Sequence, residues 1–442
     1  MAQRTEPARG MRDFLPEDIR RREYVIGIVK RVYERYGFEP LETPAVENIE
    51  TLLGKYGEEG NQLIFKILMR GEHEASGKAD LALRYDLTVP LARVVAQYQS
   101  KLPRLFNRYQ IQPVWRADRP ARGRFREFYQ CDVDSLGSTS PVVEAGLCAA
   151  VSDALTQLGF SDFVIRINHR ELLTSILSRS GIGAHQHGDA LIALDKLDKI
   201  GPEGVDNDLA NRGIEEQARN ALLQVFISRA SMNHVAAFVK GDTPGEAAVA
   251  NLQAIAELTA QTSAAGKIAF DASLARGLSY YTGAIMEINV ADLAGSLGGG
   301  GRYDNLVGMF LGQNVPACGF SLGLERILVV MGERNMFPLT LMTTPADVMI
   351  ATFDAAGASA AMRFAATLRG AGLRVLVYPD PEKIGKQIKY ADSRGIPFVA
   401  LLGENEIESS TVTVKHLAAQ TQETWHQSDA AAKILEGLKQ RG

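Results

Sequence analysis

Between Arg108 and Val133 the chain reads as two extended segments joined by a sharp turn, and this stretch limits the fold more than any other. Arg108 to Trp115 and Phe125 to Val133 carry aromatic and β-branched residues, whereas RADRPARGR between them is polar and broken by Pro120 and Gly123. The expectation is a long hairpin with an arginine-rich tip, in a sheet of antiparallel character. Successive side chains on a strand face opposite ways. One face of the second strand then carries Phe125, Tyr129, Cys131 and Val133, which suits a core. The other carries Arg124, Arg126, Gln130, Asp132 and Asp134, which suits either a polar pocket or a solvated surface.

The flanking pattern is mixed. Apolar residues at helical spacing from Ile19 to Tyr36 predict an amphipathic helix that Gly37 stops. Phe38 to Val46 reads as extended, Leu81 to Asp86 as a strand, Ala92 to Tyr98 and Pro141 to Leu158 as helices. From about Arg170 to Ala264 the pattern is largely helical and holds no concentrated chemistry, so it reads as an insertion. Strands resume at Ile268 to Phe270 and Ala284 to Val290, and a helix is expected from near Leu322. Composition changes across PLTLMTTP, after which strands alternate with helices as in a small, mainly parallel α/β domain. The fold class is therefore α+β, with segments at 1–170, 171–264, 265–337 and 346–442.

Composition narrows the function class. Hydrophobic content of 46% and charged content of 23% are ordinary for a globular protein, and no apolar run approaches the roughly 18–20 residues that span a bilayer. The start, MAQRTEPARGMRDF, lacks the apolar centre of a signal peptide. Cys131, Cys148 and Cys318 are widely separated, with neither metal spacing nor a disulfide pattern, so a reduced cytoplasmic setting without a dedicated metal site is expected. Net charge is −4, so overall electrostatics do not mark a nucleic-acid binder. Charge is nonetheless uneven, with Arg104, Arg108, Arg116, Arg119, Arg122, Arg124 and Arg126 in one short stretch that reads as an anion site or as a solvated basic surface.

Four further stretches carry candidate chemistry. In LALRYDLTVPLAR, Asp86 and Thr88 share a face if the strand continues and would suit an amino group; alternatively, they cap the following helix. In SLARGLSYYTG, Arg276 beside Gly277 permits close approach to a phosphate, with Tyr280 and Tyr281 following; alternatively, it is a surface arginine in a turn with two half-buried tyrosines. Gly298 to Gly301 lack a P-loop ending, and read as a flexible turn or as backbone packed against a flat ligand. Arg326 follows Glu325 in ACGFSLGLERI, where such a helical pair is usually solvated, although Gly319 and Gly323 suggest tight packing.

The order of these stretches resembles the histidyl-tRNA synthetases, a family of class II aminoacyl-tRNA synthetases, over essentially the whole chain. FEPLETPAVE with Pro44 resembles the first class motif, VWRADRPARGRFREFYQCDVD with Arg116 the second, and ACGFSLGLERI with Arg326 the third. ARGLSYYTG and GGGGRYDNL resemble stretches peculiar to the histidine enzymes. The resemblance implies an antiparallel-sheet catalytic domain with a helical insertion and a C-terminal α/β anticodon-binding domain, in a cytoplasmic homodimer. It implies ATP as substrate, with accompanying Mg²⁺, and L-histidine and tRNA(His) as partners. Asp86, Thr88 and Gln130 would hold the histidine amino group, and Asp134 and Tyr281 the imidazole, with Tyr280 alongside. Arg116 would contact the substrate carboxylate and the α-phosphate; Arg276 would be the catalytic arginine, and Arg326 would meet the ATP phosphates. One position departs: Ser279 stands where the family usually has aspartate. The alternative is a non-catalytic paralogue acting as regulatory subunit of ATP phosphoribosyltransferase. Such paralogues usually lack the C-terminal domain and part of the histidine-specific motifs.

Overall fold

A computed structural model describes residues 5–71, 76–227, 231–275, 280–338, 341, 344–353, 357–380 and 382–439. The chain divides into two compact units, Met1–Phe337 and Pro338–Gly442. Among the described residues, no helix is long and apolar enough to cross a membrane.

The first unit contributes strands β1 (Glu39–Pro40), β2 (Val46–Asn48), β3 (Lys66–Leu68), β4 (Ala79–Leu83), β5 (Phe106–Trp115), β6 (Glu127–Leu136), β7 (Val164–His169), β8 (Ile268–Phe270), β9 (Ala284–Asn289), β10 (Gly298–Arg302) and β11 (Ala317–Gly323). Eight of them form one sheet in the order β1-β5-β6-β11-β10-β9-β7-β8, and β2-β4-β3 form a small second sheet. Only the two outer pairs of the large sheet, β1 with β5 and β7 with β8, run parallel. The predicted hairpin is its spine, with β5 and β6 paired from Phe106↔Leu136 to Trp115↔Glu127. The tip continues the ladder, because Arg116 N donates to Arg126 O at 2.9 Å, and Ala121 bridges Arg124 around Gly123 at φ +67°.

The glycine run is a correction. Gly298 to Gly301 are not a turn but the body of β10, interior to the sheet between β9 and β11. Glycine is a poor strand former by itself. Here a Cβ on Gly300 would lie 2.8 Å from Phe320 Cα, so the neighbouring backbone leaves no room for one.

The first helix, Pro16–Arg35, starts earlier than the periodicity suggests because Pro16 suits a first helical position and Asp18 accepts from Leu15 N at 3.2 Å. It buries Val25, Ile28, Val29, Val32 and Tyr33 against the sheet, beneath Tyr109, Cys131 and Val133. Helices from Arg170–Arg179 to Thr243–Thr259 share that hydrophobic cluster through Leu172, Leu173, Ile176 and Leu252. The helical block is therefore continuous in its core with the sheet.

The second unit forms its own sheet from β12 (Val348–Thr352), β13 (Val375–Val377), β14 (Phe398–Leu402), β15 (Thr411–His416) and β16 (Thr421–His426), ordered β13-β12-β14-β15-β16. The first three are mutually parallel, as strand–helix alternation predicts, and the last two close the edge antiparallel.

Candidate active site

One face of the large sheet floors a cleft with about 1050 Å³ of empty space, open to solvent. Its floor follows from register. Across β5, β6 and β11, one row reads Arg108–Asp134–Gly319, the next Gln110–Asp132–Ser321, and the third Gln112–Gln130–Gly323. Period-two alternation brings Phe128, Gln130, Asp132 and Asp134 of β6 into the cleft together. Gly319 keeps the floor low: a Cβ there would lie 2.7 Å from Asp134 Cγ.

Asp86, Thr88, Arg116, Gln130, Asp134, Tyr280, Tyr281 and Arg326, each selected from the sequence, all line this cleft. Arg276 and Ser279 lie outside the described residues. Asp86 and Thr88 do not share a strand face, since β4 ends at Leu83. Asp86 instead accepts from Val89 N at 3.0 Å in the manner of a cap, and Thr88 begins the helix Thr88–Gln97. Both side chains nevertheless line the cleft, Asp86 while capping the helix and Thr88 from its first position.

Two of the buried carboxylates, Asp86 and Asp134, are well supplied with donors. Asp86 accepts from Tyr56 Oη at 2.9 Å and from Tyr280 Oη at 3.4 Å. Asp134 accepts from Tyr303 Oη, and its Oδ2 lies 2.9 Å from Arg108 Nη2. Burial pushes the carboxyls of Asp86, Asp132 and Asp134 upward. The nearby guanidinium groups, Arg116 for Asp86 and Arg108 for the other two, pull them back. Arg116 donates Nε to Tyr85 O at 3.0 Å, and its guanidinium carbon sits 4.3 Å from the Tyr85 ring centroid, which fixes its plane. Arg326 is held by Ser296 O on the opposite wall.

The arginine run proves to be several things at once. Arg116 and Arg124 line the cleft, whereas Arg108 is fully buried beneath it. Arg104 donates to Gly137 O, Arg122 pairs with Glu333, and Arg126 donates to Asp118 O. Arg119 is exposed. Phe125 is a second correction. It precedes β6, lines the cleft instead of the core, and lies 3.3 Å beneath the Arg12 guanidinium carbon. Glu325 is a third. It is buried rather than solvated, accepting from Arg22 Nη1 at 2.8 Å and Tyr129 N at 2.9 Å.

Arg108, Tyr56 and Tyr303 were missed as site residues. Tyr303 lay inside GGGGRYDNL, and Arg108 was visible in the basic run, but their carboxylate partners depend on register and on chain-distant packing. Among the described residues, no cluster of three or more His, Cys, Asp or Glu side chains forms a metal site.

Comparison with known proteins decides the family. The histidyl-tRNA synthetase profile matches residues 10–327. The chain belongs to the histidyl-tRNA synthetase family. An anticodon-binding domain profile matches residues 347–437. Relatives described as histidine–tRNA ligase include one from Christiangramia forsetii, 40% identical over 94% of this chain and 96% of its own length. Another, from Gloeobacter violaceus, is 41% identical over 94% and 95%. Among solved structures, the histidyl-tRNA synthetase of a Nostoc species superposes with a TM-score of 0.78 at 30% identity, covering 99% of this chain and 100% of that one. The apo enzyme from S. aureus shares the fold, with a TM-score of 0.72 at 21% identity over 98% of this chain and 100% of that one.

Proposed function

We propose that the chain is an active histidine–tRNA ligase. It joins L-histidine and ATP in this cleft as histidyl-adenylate and passes the histidyl group to the 3′ end of tRNA(His). The observation that carries this reading is the convergence of Asp86, Arg116, Gln130, Asp134, Tyr281 and Arg326 on one cleft, in a chain about 40% identical to curated ligases over most of its length.

In this reading the histidine carboxylate attacks the α-phosphorus of ATP, the bond to the β-phosphate oxygen breaks, and pyrophosphate leaves. Charge builds on phosphoryl oxygens, and guanidinium groups held in advance stabilise it without moving a proton. Arg116, fixed by Tyr85, serves the carboxylate and α-phosphate; Arg276 is the catalytic arginine, and Arg326 meets the outer phosphates. Mg²⁺ enters as part of the nucleotide substrate. Asp86, Thr88 and Gln130 hold the amino group, with Tyr280 orienting Asp86. Asp134 accepts from one imidazole nitrogen, and Tyr281 serves the other. A ligand lacking either nitrogen would leave a buried polar group unpaired, which gives strong discrimination. A terminal ribose hydroxyl of the tRNA then attacks the adenylate carbonyl and AMP departs.

Residues 1–170 and 265–337 serve as the catalytic domain, 171–264 as its helical insertion and 346–442 as the anticodon-binding domain, in a cytoplasmic homodimer. The match to a C-terminal anticodon-binding domain weighs against a regulatory paralogue. The test is histidine-dependent exchange of labelled pyrophosphate into ATP, with inhibition by histidinol. A folded protein that shows no exchange but binds a phosphoribosyltransferase tightly would overturn the assignment.

A further inference from the structure

We propose that Asp132 is a further substrate-binding residue, a carboxylate that receives the α-ammonium group of the amino acid beside Gln130. The inference rests on the cleft being the histidine-activating site and adds a residue to it.

Asp132 occupies the middle row of the floor, between Gln110 on β5 and Ser321 on β11. Only 2% of it is exposed, and it lines the cleft. The protein's own donors serve it poorly. Gln110 spends its amide on Thr43 Oγ1 at 2.9 Å and Gln112 Oε1 at 2.7 Å. Ser321 is the hydroxyl partner of Asp132, and it also accepts from Gln130 Nε2 at 3.0 Å. Asp132 Oδ1 and Gln130 Oε1 have no hydrogen-bond partner among the described residues. The floor thus presents two buried acceptors side by side, with no matching donors. Buried acceptors without donors are costly unless a ligand supplies them. An ammonium group supplies three donors and a positive charge.

Charge points the same way. Facing Asp132 are Asp134 on its own strand, Asp86 from the segment before the helix Thr88–Gln97, Arg108 from β5 and the neutral Ser321 from β11. Arg108 is already 2.9 Å from Asp134, and Asp86 is held by two tyrosines and a backbone amide. Asp132 shares Arg108 with Asp134, whose ion pair already takes that guanidinium. Burial raises its pKa to about 7. A cation arriving there favours the ionised form, so substrate binding displaces a proton to solvent wherever the free enzyme holds one.

The experiment is calorimetric titration of the full chain and of Asp132→Asn with L-histidine and with imidazole propionate, which keeps the ring and carboxylate but lacks the ammonium. Two buffers of different ionisation enthalpy at about pH 6.5 would report protons released. Asp132→Asn should bind histidine about 10- to 100-fold more weakly, while its affinity for the des-amino ligand stays within about twofold. Wild type should release more protons than Asp132→Asn on binding histidine, whereas the two should release equally with imidazole propionate, a comparison in which each ligand's own ring protons cancel. Unchanged histidine affinity in the variant, or an equal loss for both ligands, would overturn the proposal. Should Asp132→Asn not fold, Asp132→Ser takes its place in the same comparison, and equal proton release from wild type and variant with histidine overturns the proposal. Wild type that exchanges pyrophosphate yet fails these tests sinks only the role of Asp132. Wild type that neither binds histidine nor exchanges pyrophosphate removes the function itself.

Discussion

Replacing Arg108 with Met should cost the first unit about 3–5 kcal/mol at neutral pH, because it leaves the charge of Asp134 buried and unpaired. Arg108 has no exposed surface and Asp134 only 2%, so water cannot substitute for the lost guanidinium. The penalty should depend on pH in a defined direction. Burial already raises the Asp134 carboxyl above its unfolded value of 3.8, and Arg108 holds it down. Without Arg108 it rises further. A carboxyl with a raised folded pKa binds its proton more tightly when folded, so it stabilises at low pH, and that contribution fades as pH rises through the folded value. The variant-minus-wild-type difference should therefore be smallest near pH 3.8 and grow toward neutrality. The chain has two tryptophans, and Trp115 sits at the end of β5, so urea unfolding followed by fluorescence in a Trp425→Phe background reports on the right unit. A loss under about 1 kcal/mol at neutral pH, or one independent of pH, would show that the pair does not hold the floor together.

Two further outcomes are expected. Gly319→Ala should lower the melting temperature and lose about a hundredfold in kcat/KM for histidine, because the new methyl group displaces Asp134 from Arg108 and Tyr303 while leaving the nucleotide side untouched; an unchanged melting temperature, or a matching rise in KM for ATP, would contradict this. Arg276→Ala should slow adenylation by about 100- to 1,000-fold with the fold intact, as loss of a preorganised cation does, and an unchanged single-turnover rate would remove the residue from its role.

Local pattern made the frame legible. Prolines and glycines marked the hairpin tip, alternation placed Gln130, Asp132 and Asp134 on one face, and the stripe from Val25 to Tyr33 identified the first helix. Misreadings arose where long-range partners overrode local preference. Gly298–Gly301 form a strand because β9 and β11 clamp their backbone, against glycine's own tendency. Phe125 leaves the core because the segment around Arg12, distant in sequence, offers it a cation to lie against. Glu325 and Arg326 share a helical turn, yet Arg22 reaches one and Ser296 the other, which no helical-wheel argument predicts. Arg108 looked like one basic residue among seven, and only the register that sets it opposite Asp134 distinguishes it.

The glycine strand has a consequence for engineering the cleft toward other amino acids. Pockets are usually enlarged by shortening the side chains beneath the ligand, but Gly298–Gly301 and Gly319 have nothing left to shorten. A Cβ on Gly300 would lie 2.8 Å from Phe320 Cα and one on Gly319 2.7 Å from Asp134 Cγ, so the floor cannot be rebuilt upward either. Space for a bulkier ligand has to come from the walls that Tyr280 and Tyr281 form, at the expense of the hydroxyl that Tyr280 gives to Asp86.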